Sequence, residues 1–421
     1  MSKLKNYTIS FPLACLLLVL LTVSSCKQDE LQTIVVKTVA PTSSASVSPF
    51  ISCEIVSSAG LPITKRGVCF SSFTNPTLLD GYVLSTSNTN EFSVQIPNLI
   101  SNKQYYIRTF AMSGAMIFYG NTITYRTGSV WKQLSNVGGI GRFHAVGFAL
   151  NGLGYIGTGY TGALPLKDFW EYNPYSDVWS QRADFGGTAR LGSFCLAIGT
   201  KAYVGTGYAG EGADAIDFWE YNPALNEWTK KADDIGTIGR FGASTFVING
   251  KGYVGTGDWG GVTNNFWEYS PTTISWAGIT PFAGTARKEA VGFSINGKGY
   301  VGTGVDNGDY YKKDFWEYDP ANNSWTRKAD FPGLARSSAV GFAIGNKGYI
   351  GAGATKNGTN WTFYSDFWEY DPSTNSWRQI EDFAGGVRFR PVAFVIGNKA
   401  YVGTGISSTS TCNDLWEFSP R

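Results

Sequence analysis

Histidine is almost missing from this chain: His144 stands alone among 421 residues. Zinc, copper and iron centres built from several imidazoles are therefore excluded, and a Ser–His–Asp relay has only one position to use. Charge is scarce as well. Lys and Arg number 34 against 32 Asp and Glu, a net charge of +2 with 16% of residues charged. That balance supplies no basic face, so nucleic acid is not an expected partner. Neither a phosphate-cradling P-loop nor a dinucleotide fingerprint occurs, and no cofactor is expected. "DNGD" (Asp306 to Asp309) offers oxygens but lacks EF-hand spacing, so no metal is expected either. Long apolar runs are confined to "FPLACLLLVLLTV" (Phe11 to Val23), behind Lys3 and Lys5. It is too short to span a bilayer and has the form of a secretory h-region.

That run ends in "VSSC", which resembles the bacterial lipobox. The resemblance implies that residues 1–25 are removed as a signal peptide and that Cys26 carries the lipid. "KQDE" after Cys26 resembles the acidic export signal of Bacteroidetes-type lipoproteins, which implies a surface-exposed outer-membrane lipoprotein held by its acyl chains. Of the other cysteines, Cys15 leaves with the signal, Cys53 and Cys69 stand in apolar strand contexts, and Cys195 and Cys412 are far apart. An oxidising compartment permits pairing, but buried free thiols are the expectation for Cys53 and Cys69.

Residues 26–40 show little patterning and are expected to be a tether. Residues 41–127 alternate in "SVSPFISCEIVSS", "ITKRGVCFSS", "EFSVQIPNLI" and "QYYIRTFAMSG", divided by Gly, Asn and Pro, which predicts strands. "NLISNKQYYIRTFA" resembles the E–F corner and F strand of fibronectin type III-like domains. The resemblance implies a small β-sandwich, with Leu99, Tyr106, Arg108 and Ala111 at the matching positions.

From Trp131 the chain is periodic. Arg142, Arg190, Arg240, Arg287, Arg336 and Arg388 each stand thirteen residues before a tyrosine that opens a "Y[VI]G[TA]G" run. A D/N-[FL]-W-E-[YF] run follows, and nine residues past its Trp comes a second Trp in all but the last repeat. The period is 47 to 52 residues and occurs six times. The pattern resembles the kelch repeat, although Thr or Ala splits the usual glycine pair. It implies an all-β fold: a six-bladed propeller over 128–421, four antiparallel strands a–d per blade. The final repeat lacks its second Trp, while Trp131 stands eleven residues ahead of Arg142, the spacing found inside the ring. The segment 130–134 is therefore expected to close the last blade as its d strand, leaving no open blade and a monomer.

Twelve of fourteen Trp fall on the two repeating positions, the second of which holds Trp131, Trp179, Trp228, Trp276, Trp325 and Trp377. A residue required in every blade is explained by packing. Arg142 and its five counterparts begin strand a. They are expected to bridge across the side-chain-free glycines of strand b to the Asp that opens strand c, with Glu171, Glu220, Glu268, Glu317, Glu369 and Glu417 as the other candidate partners. Asn265 replaces that Asp once and is expected to leave Arg240 freer to meet a ligand. The variable b–c loops place Trp259, Tyr310, Tyr311, Trp361, Phe363 and Tyr364 on one face beside Tyr160 and Tyr208. Exposed aromatics on variable loops suit stacking on sugars or docking a protein. The expected function is non-catalytic binding of a glycan or an extracellular protein, with no catalytic residue assigned; His144 is taken as an inner-strand residue. The kelch resemblance also admits enzymes. Galactose oxidase needs histidine ligands that one histidine cannot provide. Sialic acid mutarotases need only an acid–base group and arginines, so a sugar-acid epimerase is the alternative.

Overall fold

The computed structural model describes residues 33–41, 48–100, 103–210, 215–232 and 239–420. The signal segment, Cys26 and the first half of the tether lie outside them. Among the described residues there is no helix. The N-terminal unit stacks two antiparallel sheets. One is β1 (Val35–Val39), β2 (Phe50–Ser57) and β5 (Glu91–Gln95); the other orders β4 (Gly81–Leu84), β3 (Lys65–Ser71), β6 (Gln104–Ser113) and β7 (Met116–Arg126). Ile51, Cys53, Val68 and Ile107 fill the space between them. Two sequence expectations shift here. Residues 35–39 are a strand rather than tether, because Ile34, Val36 and Thr38 alternate inward even though Lys37 interrupts the apolar pattern. The corner tyrosine is Tyr105, not Tyr106: Tyr105 is buried and its hydroxyl accepts the Ile100 N–H at 3.1 Å. A one-residue slip moves a strand side chain to the opposite face. Cys53 and Cys69 are buried free thiols, and burial pushes both up to about 11.

Six four-stranded sheets follow. Blade four shows the plan: a (Val291–Ile295), b (Lys298–Gly302), c (Phe315–Asp319) and d (Ser324–Arg327). Strand a buries every second residue, Val291, Phe293 and Ile295. Asn296 and Gly297 join a to b with φ of 50° and 76°, the pair of left-handed residues that a tight hairpin turn requires.

The recurring phrase "DFWEYDPANNSW" acquires a role for each letter. Asp314 grips the Arg287 guanidinium with both oxygens and also accepts the Trp316 indole N–H at 2.8 Å. Phe315 points the other way into the core, 5.0 Å from Trp377 of the next blade. Glu317 receives the Tyr300 hydroxyl and lies 3.4 Å from Lys328. Tyr318 donates to Asn323 at 3.0 Å, and the same Asn323 oxygen accepts the Thr280 N–H of the preceding blade at 2.9 Å. The Trp325 indole N–H then reaches the Thr280 carbonyl at 3.1 Å. Turn and tryptophan together fasten blade four to blade three, and Asp177 with Trp179, Asn226 with Trp228 and Asn375 with Trp377 do the same in blades one, two and five.

The ring closes through β8 (Trp131–Leu134), which pairs antiparallel with Leu415–Phe418 of the last blade. Trp131 meets Phe367, Phe383 and Phe418 at 4.9–5.1 Å, the surroundings Trp377 has inside a continuous blade. Glu381 holds the approach to this strand, accepting the Ser129 hydroxyl at 2.7 Å and the Val130 N–H at 2.9 Å. A second belt circles the molecule. The last glycine of each "YxGxG" run donates its N–H to the carbonyl of the next blade's arginine, from Gly159 to Arg190 (2.8 Å) round to Gly405 and Arg142 (2.7 Å).

Candidate functional site

Five of the repeat arginines, fully or almost fully buried, hold their strand-c aspartates with two hydrogen bonds each: Arg142–Asp168, Arg190–Asp217, Arg287–Asp314, Arg336–Asp366 and Arg388–Asp414. Burial pushes Asp168, Asp217 and Asp314 up, but the guanidinium and indole hydrogen bonds outweigh it and leave them below the ordinary carboxylate range. These arginines are scaffold. In blade three Arg240 donates to the Thr256 carbonyl at 2.7 Å and desolvation lowers it to about 10. It is 1% exposed, so Asn265 does not hand it to solvent.

Two residues beyond each arginine the blades diverge: His144, Gly192, Gly242, Glu289, Ser338 and Arg390. All six are left-handed, with φ between 53° and 66°. Their backbones form a chain of hydrogen bonds about the propeller axis: Gly192 donates to His144, Gly242 to Gly192, Glu289 to Gly242, Ser338 to Glu289 and Arg390 to Ser338, at 2.8–3.1 Å. Left-handed backbone favours Gly, yet four blades place larger polar residues there. Packing does not require them, since two blades use Gly.

The four side chains converge in a mouth of about 130 Å³. Glu289, 7% exposed, reaches across the axis. It accepts Arg390 Nη2 at 3.0 Å, the Ser338 hydroxyl at 2.5 Å and the Ser337 hydroxyl at 3.2 Å, and lies 3.4 Å from His144 Nε2. Burial raises its carboxyl, but Arg390 above all, with the Ser338 hydrogen bond and Lys288, leaves it ionised below the usual range. Burial, reinforced by Arg390 and opposed by Glu289, pushes His144 down to about 3. The imidazole is therefore neutral at pH 7, and its approach to Glu289 is a dipole–anion contact rather than an ion pair. His144 Nε2 has no hydrogen-bond partner. Contrary to the sequence reading, His144 precedes its inner strand (Val146–Leu150) and faces the axis.

His144 binds fewer protons folded than unfolded between its lowered pKa and the ordinary value near 6.5, so stability rises with pH across that window. The melting temperature is expected to fall as pH is lowered from about 6.5 towards 3. His144→Asn, which tolerates left-handed backbone, is expected to lose this limb; a melting curve against pH for both proteins checks it.

Aromatics frame the mouth unevenly. Arg390 stacks on Phe389 at 4.3 Å and faces Phe143 at 5.7 Å. Trp361, 42% exposed on the hairpin of Ala354–Asn357 and Asn360–Phe363, packs on Phe389 at 4.8 Å with Phe363 behind it. Tyr160 meets Phe143 edge-on at 5.5 Å. Burial raises the Tyr311 phenol, which also feels Glu289 and Arg390. The other candidates lie apart. Tyr364 lies under Arg336 at 4.1 Å and bonds Thr355, a structural role. Trp259 covers Gly239, where a Cβ would strike its ring. Tyr310 is 70% exposed near Lys312. Tyr208 lines a separate hollow with Leu191, Phe241 and Asp258. Glu289, Ser338 and Arg390 are candidate functional residues that an aromatic pattern does not mark. Their signal was available: one fixed offset from the repeat arginine varies while its neighbours hold.

This architecture is a kelch-type β-propeller. Residues 192–386 match the KLHDC2/KLHL20/DRC7 Kelch-repeats domain family. The solved structure of YjhT is similar with a TM-score of 0.59 and 17% identity, over 68% of this chain and 96% of that one; such identity establishes the fold alone. No curated protein matches the chain.

Proposed function

We propose that the propeller is a non-catalytic receptor that binds the terminal unit of a glycan in the axial mouth, on a cell-surface lipoprotein anchored through Cys26. One observation carries the reading. The unrepeated polar set of His144, Glu289, Ser338 and Arg390 surrounds a small hollow with a partnerless buried imidazole nitrogen, and the exposed Trp361 packs on Phe389, the ring on which Arg390 lies. Sugar rings need this combination, hydrogen-bonding groups for hydroxyls and a flat apolar wall for the ring face. The volume, below the roughly 300 Å³ at which ligand pockets usually begin, suits one unit and not a chain. Trp361→Ala is expected to weaken glycan binding about tenfold or more, a loss of roughly 1.4 kcal/mol, with an unchanged melting temperature. Glycan-array screening followed by calorimetry checks both; undiminished binding by the variant, or array silence with capture of a protein instead, removes the reading. Labelling of the chain by palmitate, abolished in Cys26→Ala, tests the anchor.

The second reading, a sugar-acid epimerase, is supported by the neutral His144 beside ionised Glu289, an acid–base pair at 3.4 Å. Exchange between sialate anomers, followed by NMR and lost in His144→Asn, tests it.

A further inference from the structure

We infer that the axial mouth selects an uncharged, hydroxyl-bearing sugar unit and rejects sugar acids; this rests on the glycan-binding reading above. Arg390 is the cation lining the mouth, and it is already committed to Glu289 at 3.0 Å. Lys288, the next cation outward, is held by Asp258 at 2.6 Å. Lys312 is held by Asp306 at 2.7 Å, and Lys356 lies out on the hairpin over Trp361. Arg390, Lys288 and Lys312 are thus each bound to an internal carboxylate, and the charge in the mouth with the least exposed side chain, Glu289, is negative. An incoming carboxylate would meet that anion in a partly desolvated space, where like charges repel far more than in water.

Hydroxyls fit the same groups without conflict. A hydroxyl both donates and accepts. It can donate to the Glu289 carboxylate, which stays ionised, and exchange a hydrogen bond with His144 Nε2, which has no hydrogen-bond partner among the described residues. Arg390 Nε is likewise buried and unpartnered, leaving one donor for a ligand oxygen. The ring is also lopsided. Gly192 and Gly242 carry no side chains, so over blades two and three the floor is bare backbone, with Phe241 packed over Gly192 and 4.7 Å from His144. A pyranose thus has hydrogen-bonding side chains on one side and, on the other, a floor of glycine backbone with Ser193 and Ala243 that leaves room for the ring. Leaving a buried polar group unmatched is costly, so selection between a hydroxymethyl and a carboxylate at one position is expected to be sharp.

The test compares sugars that differ only there, methyl galactoside with methyl galactosiduronate and methyl glucoside with methyl glucosiduronate, and adds N-acetylneuraminate as a further acid, each titrated into the full soluble chain by calorimetry. A neutral sugar is expected to bind, and every acid to bind at least a hundredfold more weakly. In Glu289→Gln the freed Arg390 is expected to raise uronate binding at least tenfold and to weaken the neutral sugar. An acid that binds wild type as tightly as its neutral counterpart overturns the selectivity while keeping the glycan reading. Silence from every sugar overturns both. The wild-type comparison decides the matter even if the variant fails to fold.

Discussion

Asp314→Ala is expected to lower the stability of the propeller by about 3–5 kcal/mol, the usual cost of leaving one member of a buried ion pair alone. Its melting temperature should fall by on the order of 10 °C, given the few degrees per kcal/mol typical of domains this large. The reason is geometric. Arg287 is fully buried, and Asp314 supplies two of its hydrogen bonds at 2.6 and 2.8 Å. The Thr303 and Thr285 carbonyls, each at 2.9 Å, would remain, but neither neutralises charge. The Trp316 indole would lose its acceptor too. Removing both charges in Arg287→Met with Asp314→Ala is expected to recover part of the loss, since an apolar replacement leaves no stranded cation. Calorimetry of the three proteins decides it; a double variant less stable than the single would show that the pair itself, and not the stranded charge, carries the energy.

The same aspartates set the acid limit. Asp168, Asp217 and Asp314 are depressed in the folded protein. Their contribution is complete above the unfolded carboxyl value near 4 and is lost as pH falls through the lower folded values. This limb begins near pH 4, inside the acid end of the one assigned to His144, so the stretch from about 6.5 to 4 isolates His144 and the aspartates add to it only below that. Asp314→Ala should shallow the lower limb, His144→Asn the upper.

How much of this was legible in the chain follows from what repetition reveals. Six copies of one phrase disclose a role by recurrence. The Arg–Asp grip, the core Phe, the Tyr–Glu pair and the Trp that fastens blades all stand at fixed offsets, and a single sequence is enough to align them. The axial cluster is the opposite case. His144 and Glu289 are 145 positions apart and meet only because blades one and four face each other across the axis. Each looks ordinary until the ring is closed. The informative trace was variation at one offset, and aromatic loop residues drew attention away from it. Tyr364 shows why loop aromatics mislead: it lies on a buried guanidinium and serves the scaffold. The sandwich was harder for a local reason. Its strands occur once, so no second copy fixes the register, and the adjacent Tyr105 and Tyr106 are not told apart by pattern alone.

Trp131→Ala is expected to be as damaging as the loss of the aspartate, about 3–5 kcal/mol, the range for emptying a large aromatic from a core. Trp131 is 5% exposed and touches three rings. Its effect should nevertheless differ in kind from that of Trp377→Ala at the matching position of blade six's neighbour. Trp377 lies on a strand joined to its own blade by a short turn, so its loss leaves an internal cavity. Trp131 belongs to a strand supplied by the opposite end of the propeller, and Leu415–Phe418 has no other partner on that side. Weakening β8 therefore opens a ring, converting a closed structure into a linear stack with two ends, whose terminal blades fray first. A chain beginning after Leu134 exposes the Leu415–Phe418 edge, a ready template for another chain. It is expected to melt over a broader range and to self-associate, read by calorimetry and by size-exclusion chromatography with light scattering. A truncated chain that stays monomeric and melts as sharply as the intact one would show that the ring does not depend on β8. The axial mouth, whose lining comes from all six blades, depends on that closure, so glycan binding should fail in the truncated chain even where individual blades survive.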